Sequence, residues 1–459
     1  MNEAPRLVPP RCSGPAKGWG RWPAAFGSRF FLALLAGFVW LGPAWWNPKF
    51  AFAIVGWDVL VLILWWQDWR RLPRPEQLQV AREWIEPVSL GQTSTVKLEL
   101  SAEGAVTLTA ILEDEVPSSL RREVPTVELV VPPGGSASAA YEVHPAARGD
   151  ARLGRVFVRY RGPLQLAERR AVADLSQAVR IYPNLQEAKK LSLYLIRSRQ
   201  IELEKRFQHR PERGREFESL REYRDGDEPR DICWTATARR AKLVTKVYQA
   251  ERSQSVLLVL DAGRLMLARS GPFTKLDYAT TATLSLAQVA LAGGDSVGLL
   301  AYGRRIQAQV NAARGSAHLR FILEQLAVVH GELVEADHAR ACETLLRRQR
   351  RRALIVWVTD LAETAATPEV IESAMRLLPR HLVLFVAIGQ PELQEVLMQR
   401  PKSTSEMYRY VAGLELVQRR ELLLRRLRQQ GALVLECVPG HLSVGLVNQY
   451  LQIKERSLL

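Results

Sequence analysis

Cysteine is scarce. The 459 residues hold four, Cys12, Cys233, Cys342 and Cys437, widely spread and without a C-x-x-C pair. That argues against a disulfide framework and a zinc ribbon and fits a reducing compartment. There is no G-x-x-x-x-G-K-[S/T] phosphate loop, and Gly293-Gly294-Asp295 precedes an apolar run instead of following one, so it reads as a helix stop and turn. Nucleotide hydrolysis is therefore not expected of this chain. His330 and His338 share a stretch with Glu332, Glu335 and Asp337, but at no spacing that matches a metal motif. Tryptophan is almost missing beyond residue 69: nine of the twelve lie within the first 69 residues, a bias that interfacial aromatic belts explain.

What is present is enough apolar material, 47% of residues, to fill real cores, and a length suited to about three domains at ~150 residues each. A single small module and a disordered chain are both excluded. Lys and Arg outnumber Asp and Glu by 63 to 48, a net charge of +15. Residues 1–75 carry nine basic and three acidic residues, so +6 of the excess sits there, leaving +9 for the remainder. That is a weak signal for nucleic acid.

Residues 30–48 contain no charge, and nineteen residues span about 28 Å as a helix, the thickness of a hydrocarbon core. Residues 50–67 form a second apolar run, interrupted by Asp58. Basic residues flank the pair on both sides and only Lys49 lies between them, so a two-helix membrane hairpin is expected, contacting lipid through residues 30–67. Both termini would face the cytoplasm. A cleaved signal peptide has a shorter apolar core. Asp58 in mid-span marks either a functional position or a group paired with a neighbouring helix.

After a linker, runs such as TVKLEL, TVELVV and GRVFVRY alternate with period two between turns, the pattern of an antiparallel β-sandwich over residues 77–177. Glu113, Asp114 and Glu115 read as a solvated turn, and the region as a spacer or docking module. From 178 to 459, near-continuous apolar strands at 255–261, 296–302, 353–360, 381–389 and 432–438 alternate with helical stretches. These predict an α/β domain with a doubly wound, mostly parallel sheet. Asp261 and Asp360 fall at strand ends, where such folds bind ligands. No complete catalytic set accompanies them, so the chain reads as a binding protein and not an enzyme. The arginine runs 347–352 and 419–428 read as solvated helix faces, with nucleic-acid binding the alternative.

The segment RGREFESLREYRDGDEPRDICWTATARRAKLVTKVYQAERSQSVLLVLDAGRLM, residues 213–266, resembles the family named domain of unknown function 58, and further likeness at 144–154, 275–303 and 314–326 extends along the chain. The resemblance rests on the signature Arg221, Tyr223, Arg224, Gly226, Asp227, Arg230, Asp231, Trp234 and Arg239, within 213–242. These charges can neutralise one another as an ion-paired clamp or form a docking face, with Trp234 as a buried anchor. The likeness implies a von Willebrand factor A-like fold in the bacterial inner membrane, acting with an AAA+ ATPase of the MoxR type in chaperone-like assembly or maturation of other proteins. It also implies a partner-binding face at Asp261, Gly263, Arg264 and Asp360. Relatives of that fold commonly bind Mg²⁺ through D-x-S-x-S, a distant Thr and a later Asp. Here Gly263 and Leu265 stand at the serine positions, which argues against the alternative of a divalent-metal-dependent binding protein or enzyme. No cofactor is expected, and Arg264 is placed to neutralise Asp261 or Asp360. Cys233 stands where a polar residue is expected.

Overall fold

The computed structural model describes residues 7–19, 24–41, 45, 51–190, 216–224, 232–249, 254–360, 369–456 and 458. The chain divides into two compact units, Met1–Tyr182 and Pro183–Leu459.

The first unit is built from antiparallel strands: β1 (Cys12–Gly18), β2 (Ala24–Phe26), β3 (Leu78–Trp84), β4 (Ser94–Ala102), β5 (Leu108–Asp114), β6 (Thr126–Val131), β7 (Ser136–Val143), β8 (Gly149–Leu153), β9 (Val156–Arg161), β10 (Ala167–Ala173) and β11 (Gln177–Ile181). Their order is β6-β5-β9-β10-β1-β3-β4-β7, with β2 also on β10 and β11 paired to β8. Period-two patterning makes them. β4 alternates buried and half-buried side chains along its whole length, sending Val96, Leu98 and Leu100 into the core with Leu112, Val158 and Tyr160.

Strand β1 lies before the two apolar runs, in a stretch with no strand pattern in the sequence. Its first half, Cys12–Pro15, pairs with β3 and its second half, Ala16–Gly18, with β10, so it joins two groups of strands. Asp114, expected on a solvated turn, is instead fully buried at the end of β5. Arg82 reaches it through Nε at 2.9 Å, and the Tyr141 hydroxyl donates to its Oδ2 at 2.6 Å. Burial and the Asp114 charge hold the Tyr141 hydroxyl far above its ordinary pKa.

Between β2 and β3 the chain makes two apolar helices. Ala51–Arg71 contains the one described helix, Phe52–Arg71, long and apolar enough to cross a membrane; Ser28–Trp40 is apolar but shorter. Most of the turn between them, residues 42–44 and 46–50, lies outside the described residues, so the first span of the expected hairpin is described only in part. The helices touch where Trp57 Nε1 donates to the Ala33 carbonyl at 2.8 Å. Asp58 is half-buried, and a Cβ built on Gly37 would stand 3.5 Å from its Oδ1. At the far end Asp68 is buried and accepts the N–H groups of Leu166 and Ala167 at 3.1 and 3.0 Å. Arg169 of β10 lies 4.9 Å over the Trp69 ring and donates to the Trp69 carbonyl. The excursion thus begins beside β10, through β2, and ends fastened to it.

The second unit opens with the hairpin of β12 (Glu216–Glu222) and β13 (Val244–Gln249). Its main sheet comprises β14 (Ser255–Asp261), β17 (Ser296–Tyr302), β18 (Ile306–Ala313), β19 (Leu354–Thr359), β20 (Leu382–Ile388) and β21 (Leu433–Cys437); the short pair β15 (Arg269–Ser270) and β16 (Phe273–Thr274) lies between the first two. The order is β18-β17-β14-β19-β20-β21, parallel except for β18 at one edge. Taken in sequence order the six strands run 3-2-1-4-5-6, a doubly wound sheet whose switch point falls between β14 and β19. One face packs Val259, Ile355, Trp357 and Phe385 against helices His338–Arg348, Glu369–Leu377 and Thr404–Gln429. Helices Lys275–Ala292, Ser316–Val328 and Leu442–Glu455 pack together and lie on the other face. The five expected strands form; β18 is additional.

Candidate functional site at the strand ends

Asp261 closes β14, and Thr359 and Asp360 close β19, its parallel neighbour, so the three meet at the switch point. Asp261 and Asp360 are 3% and 1% exposed. Asp261 accepts on both oxygens: Oδ1 from the Gly263 N–H at 2.7 Å and Oδ2 from the Thr359 hydroxyl at 2.6 Å. Burial pushes its carboxyl above the ordinary carboxylate range, while His338, the Thr359 hydroxyl and the Gly263 amide pull against that shift. His338 is held by the Tyr302 hydroxyl, 2.9 Å from its Nδ1, and Trp357 Nε1 donates to the same hydroxyl at 2.6 Å.

The cation paired with Asp360 is Lys275, 2% exposed, whose ammonium donates to Oδ2; Gln390 Nε2 lies 3.4 Å from the same oxygen. Lys275 opens the Lys275–Ala292 helix immediately after Thr274, which accepts from the Asp277 N–H while Asp277 accepts from the Thr274 N–H. This capping box fixes the helix start and hence the lysine. Arg264, expected to neutralise one of the carboxylates, turns outward and pairs at 3.6 Å with Glu335, itself largely exposed. Lys275 was missed in the sequence. A signal existed: a lysine in the first helical position sits at the positive end of the helix dipole, where a cation needs a nearby anion.

A loop covers the carboxylates. Arg264 N–H donates to the Val334 carbonyl at 2.9 Å, Glu332 N–H to Ala262 at 2.8 Å and Asp337 N–H to Gly303 at 3.0 Å. Gly263 fits beneath it; a Cβ there would stand 2.8 Å from the Ala336 nitrogen. The structure therefore brings Asp261, Gly263 and Asp360 together but buries them, and the loop presents Leu333, 82% exposed, with Val334 beside it.

Of the signature, Gly226, Asp227, Arg230 and Asp231 lie outside the described residues. Arg221 ends in the β12 hairpin, Tyr223 N–H donates to the Leu243 carbonyl at 2.9 Å, and Glu222 pairs with Lys242 at 3.2 Å on the surface. Trp234, expected as a buried anchor, starts the short Trp234–Arg240 helix and is 67% exposed; Arg239 lies in its last turn. Before that helix, the Thr235 hydroxyl and backbone amides draw the Cys233 thiol below its ordinary value. The basic runs are partly neutralised: Arg347 pairs with Glu343, Arg419 with Glu415 and Arg425 with Glu421, each one helical turn apart.

A divalent ion does not fit this donor set. Gly263 and Leu265 offer no side-chain oxygen, Lys275 already holds Asp360, and among the described residues no group of three His, Cys, Asp or Glu side chains is arranged to hold a metal.

Residues 219–399 match the model of the family described as "Protein of unknown function DUF58". This stretch is similar to that family. It contains Asp261, Lys275, the covering loop and Asp360. The chain is also 26% identical over 259 residues to uncharacterized protein YeaD of Bacillus subtilis (strain 168), covering 54% of this chain and 61% of YeaD, so it spans about three-fifths of that relative. Among solved structures it resembles conserved hypothetical protein BatB from Bacteroides thetaiotaomicron, at 12% identity and a TM-score of 0.29 over 44% of this chain and 100% of BatB. A von Willebrand factor type A protein from Catenulispora acidiphila gives 12% identity and a TM-score of 0.28 over 45% of this chain and 43% of that one. Overlap this loose adds nothing to the strand order described above.

Proposed function

We propose that the chain is a membrane-anchored protein-interaction module of the bacterial inner membrane, working with an AAA+ ATPase of the MoxR type in chaperone-like assembly or maturation of other proteins. The observation that carries the interaction reading is the exposed Leu333 on the loop over the carboxyl ends of a doubly wound sheet, the edge at which such folds bind. Val334 widens the apolar spot, and the Arg264–Glu335 pair supplies a polar rim. With Asp261 and Asp360 buried, docking runs through this loop, and the carboxylates position it from below. The ATPase comes from the family resemblance.

Anchoring is supported by the Phe52–Arg71 helix and by the pairing of β2 with the strand that also fastens Asp68. A chain that leaves β10 and returns to it crosses a bilayer an even number of times, which suits a two-pass hairpin. The basic flanks then put both units in the cytoplasm.

Affinity capture of the tagged full-length chain from membranes in mild detergent tests the reading. A MoxR-type ATPase is expected with the wild type and at least about tenfold less with Leu333→Asp, the loss of a central apolar contact. Equal recovery by both, or no such ATPase with either, contradicts it.

A further inference from the structure

We infer that Lys275 is a built-in cation: its ammonium takes the charge-balancing place that a divalent ion holds in metal-binding folds of this topology, so the matched segment closes its strand ends without metal. This does not depend on which protein docks there.

Two carboxylates, 3% and 1% exposed, end neighbouring strands. Buried charges of like sign repel, and each needs a counter-charge or a proton. Three basic side chains lie near them in the sequence or the fold. Arg264 is paired outward with Glu335, and His338 is engaged through Nδ1 by Tyr302. Lys275 is as buried as the carboxylates and is ion-paired with Asp360.

Its position in the helix strengthens the assignment. A lysine in the first position faces the positive end of the helix dipole, and burying its ammonium is unfavourable unless an anion meets it. A surface role would leave it in water. Here the capping box of Thr274 and Asp277 holds the turn that delivers it, and the Lys275 N–H donates to the Ala268 carbonyl at 2.9 Å.

The same contacts exclude a second cation. An ammonium has three donors and no acceptor, so an ion drawn to the same Asp360 oxygen would meet a positive charge at contact distance. The Thr359 hydroxyl already spends its proton on Asp261, whose other oxygen holds the Gly263 amide. Mg²⁺ and Mn²⁺ require about six oxygens, and both Asp261 oxygens and Asp360 Oδ2 already have donors.

The test uses the full chain in detergent, with Mn²⁺ as the probe, free Mn²⁺ read by electron paramagnetic resonance and stability by thermal unfolding. The wild type is expected to show no saturable binding up to about 1 mM, the weak end of protein divalent sites. Its melting temperature should be the same in EDTA as in Mn²⁺. Lys275→Met should lower that temperature by at least about 5 °C. Adding Asp360→Asn to Lys275→Met should recover most of the loss, because a neutral amide no longer needs the cation. If Lys275→Met does not fold, folding of the double variant gives the same result. Saturable Mn²⁺ binding by the wild type that Asp261→Asn abolishes would overturn the inference. So would a Lys275→Met chain that melts like the wild type, or a double variant less stable than the single one.

Discussion

Both oxygens of Asp261, and Oδ2 of Asp360, have donors, and single substitutions there should be read by the donor they remove. Thr359→Val keeps the shape of the side chain and takes the hydroxyl from Asp261 Oδ2, leaving a buried acceptor with one partner fewer. It should cost about 1–3 kcal/mol, measured as a lower denaturant midpoint at unchanged slope, with Thr359→Ser close to the wild type. His381 gives a pH-dependent counterpart. Burial holds its imidazole below the ordinary value, and neither ring nitrogen has a hydrogen-bond partner among the described residues. As pH falls below about 6.5 the unfolded chain takes up the proton before the folded one, so stability falls from there down to the depressed folded value. His381→Phe should flatten unfolding free energy across that window; an unchanged slope would contradict this. Asp261, Gly263 and Asp360 were legible because strand-end position is written in apolar runs. Lys275 was not, since its partner lies 85 residues away and only the fold joins them. Trp234 was misread for a related reason: aromatic character favours burial, but no described strand or helix covers it.

At the scale of elements, runs buried on both faces were plain in the sequence, and β14, β17, β19 and β20 appear where continuous apolar residues predict them, as does the half-buried edge strand β21. β18 has a weaker pattern, I-Q-A-Q-V-N-A-A, because only Ala308 and Val310 are buried and polar Gln307, Gln309 and Asn311 stand between apolar residues. β1 was illegible for the opposite reason: C-S-G-P-A-K-G contains glycine and proline and scarcely alternates, and backbone pairing to β3 and β10 makes it a strand. Removing residues 1–19 should therefore strip two strands of a partner. The shortened chain should melt at a lower temperature and show more aggregate by size-exclusion chromatography; an unchanged profile would mean that β1 is dispensable.

The whole molecule has two units of different construction. The first holds an apolar excursion that starts and ends on one strand, and the second an α/β sheet whose carboxylates are sealed beneath a loop. Composition announced both: the crowding of tryptophan within the first 69 residues marked the excursion, and the change from period-two alternation to continuous apolar runs marked the sheet. The sealing loop had no such signal, because its backbone hydrogen bonds to Ala262, Arg264 and Gly303 leave no trace in side-chain pattern. The central claim is that this loop, and not the carboxylates below it, meets the partner. A photo-crosslinking residue placed at Leu333, with a control at the exposed Val444, tests it most directly in intact cells. The account expects a crosslink from position 333 to a MoxR-type AAA+ ATPase and none from 444; no such crosslink from 333, or equal crosslinking from both positions, would contradict it.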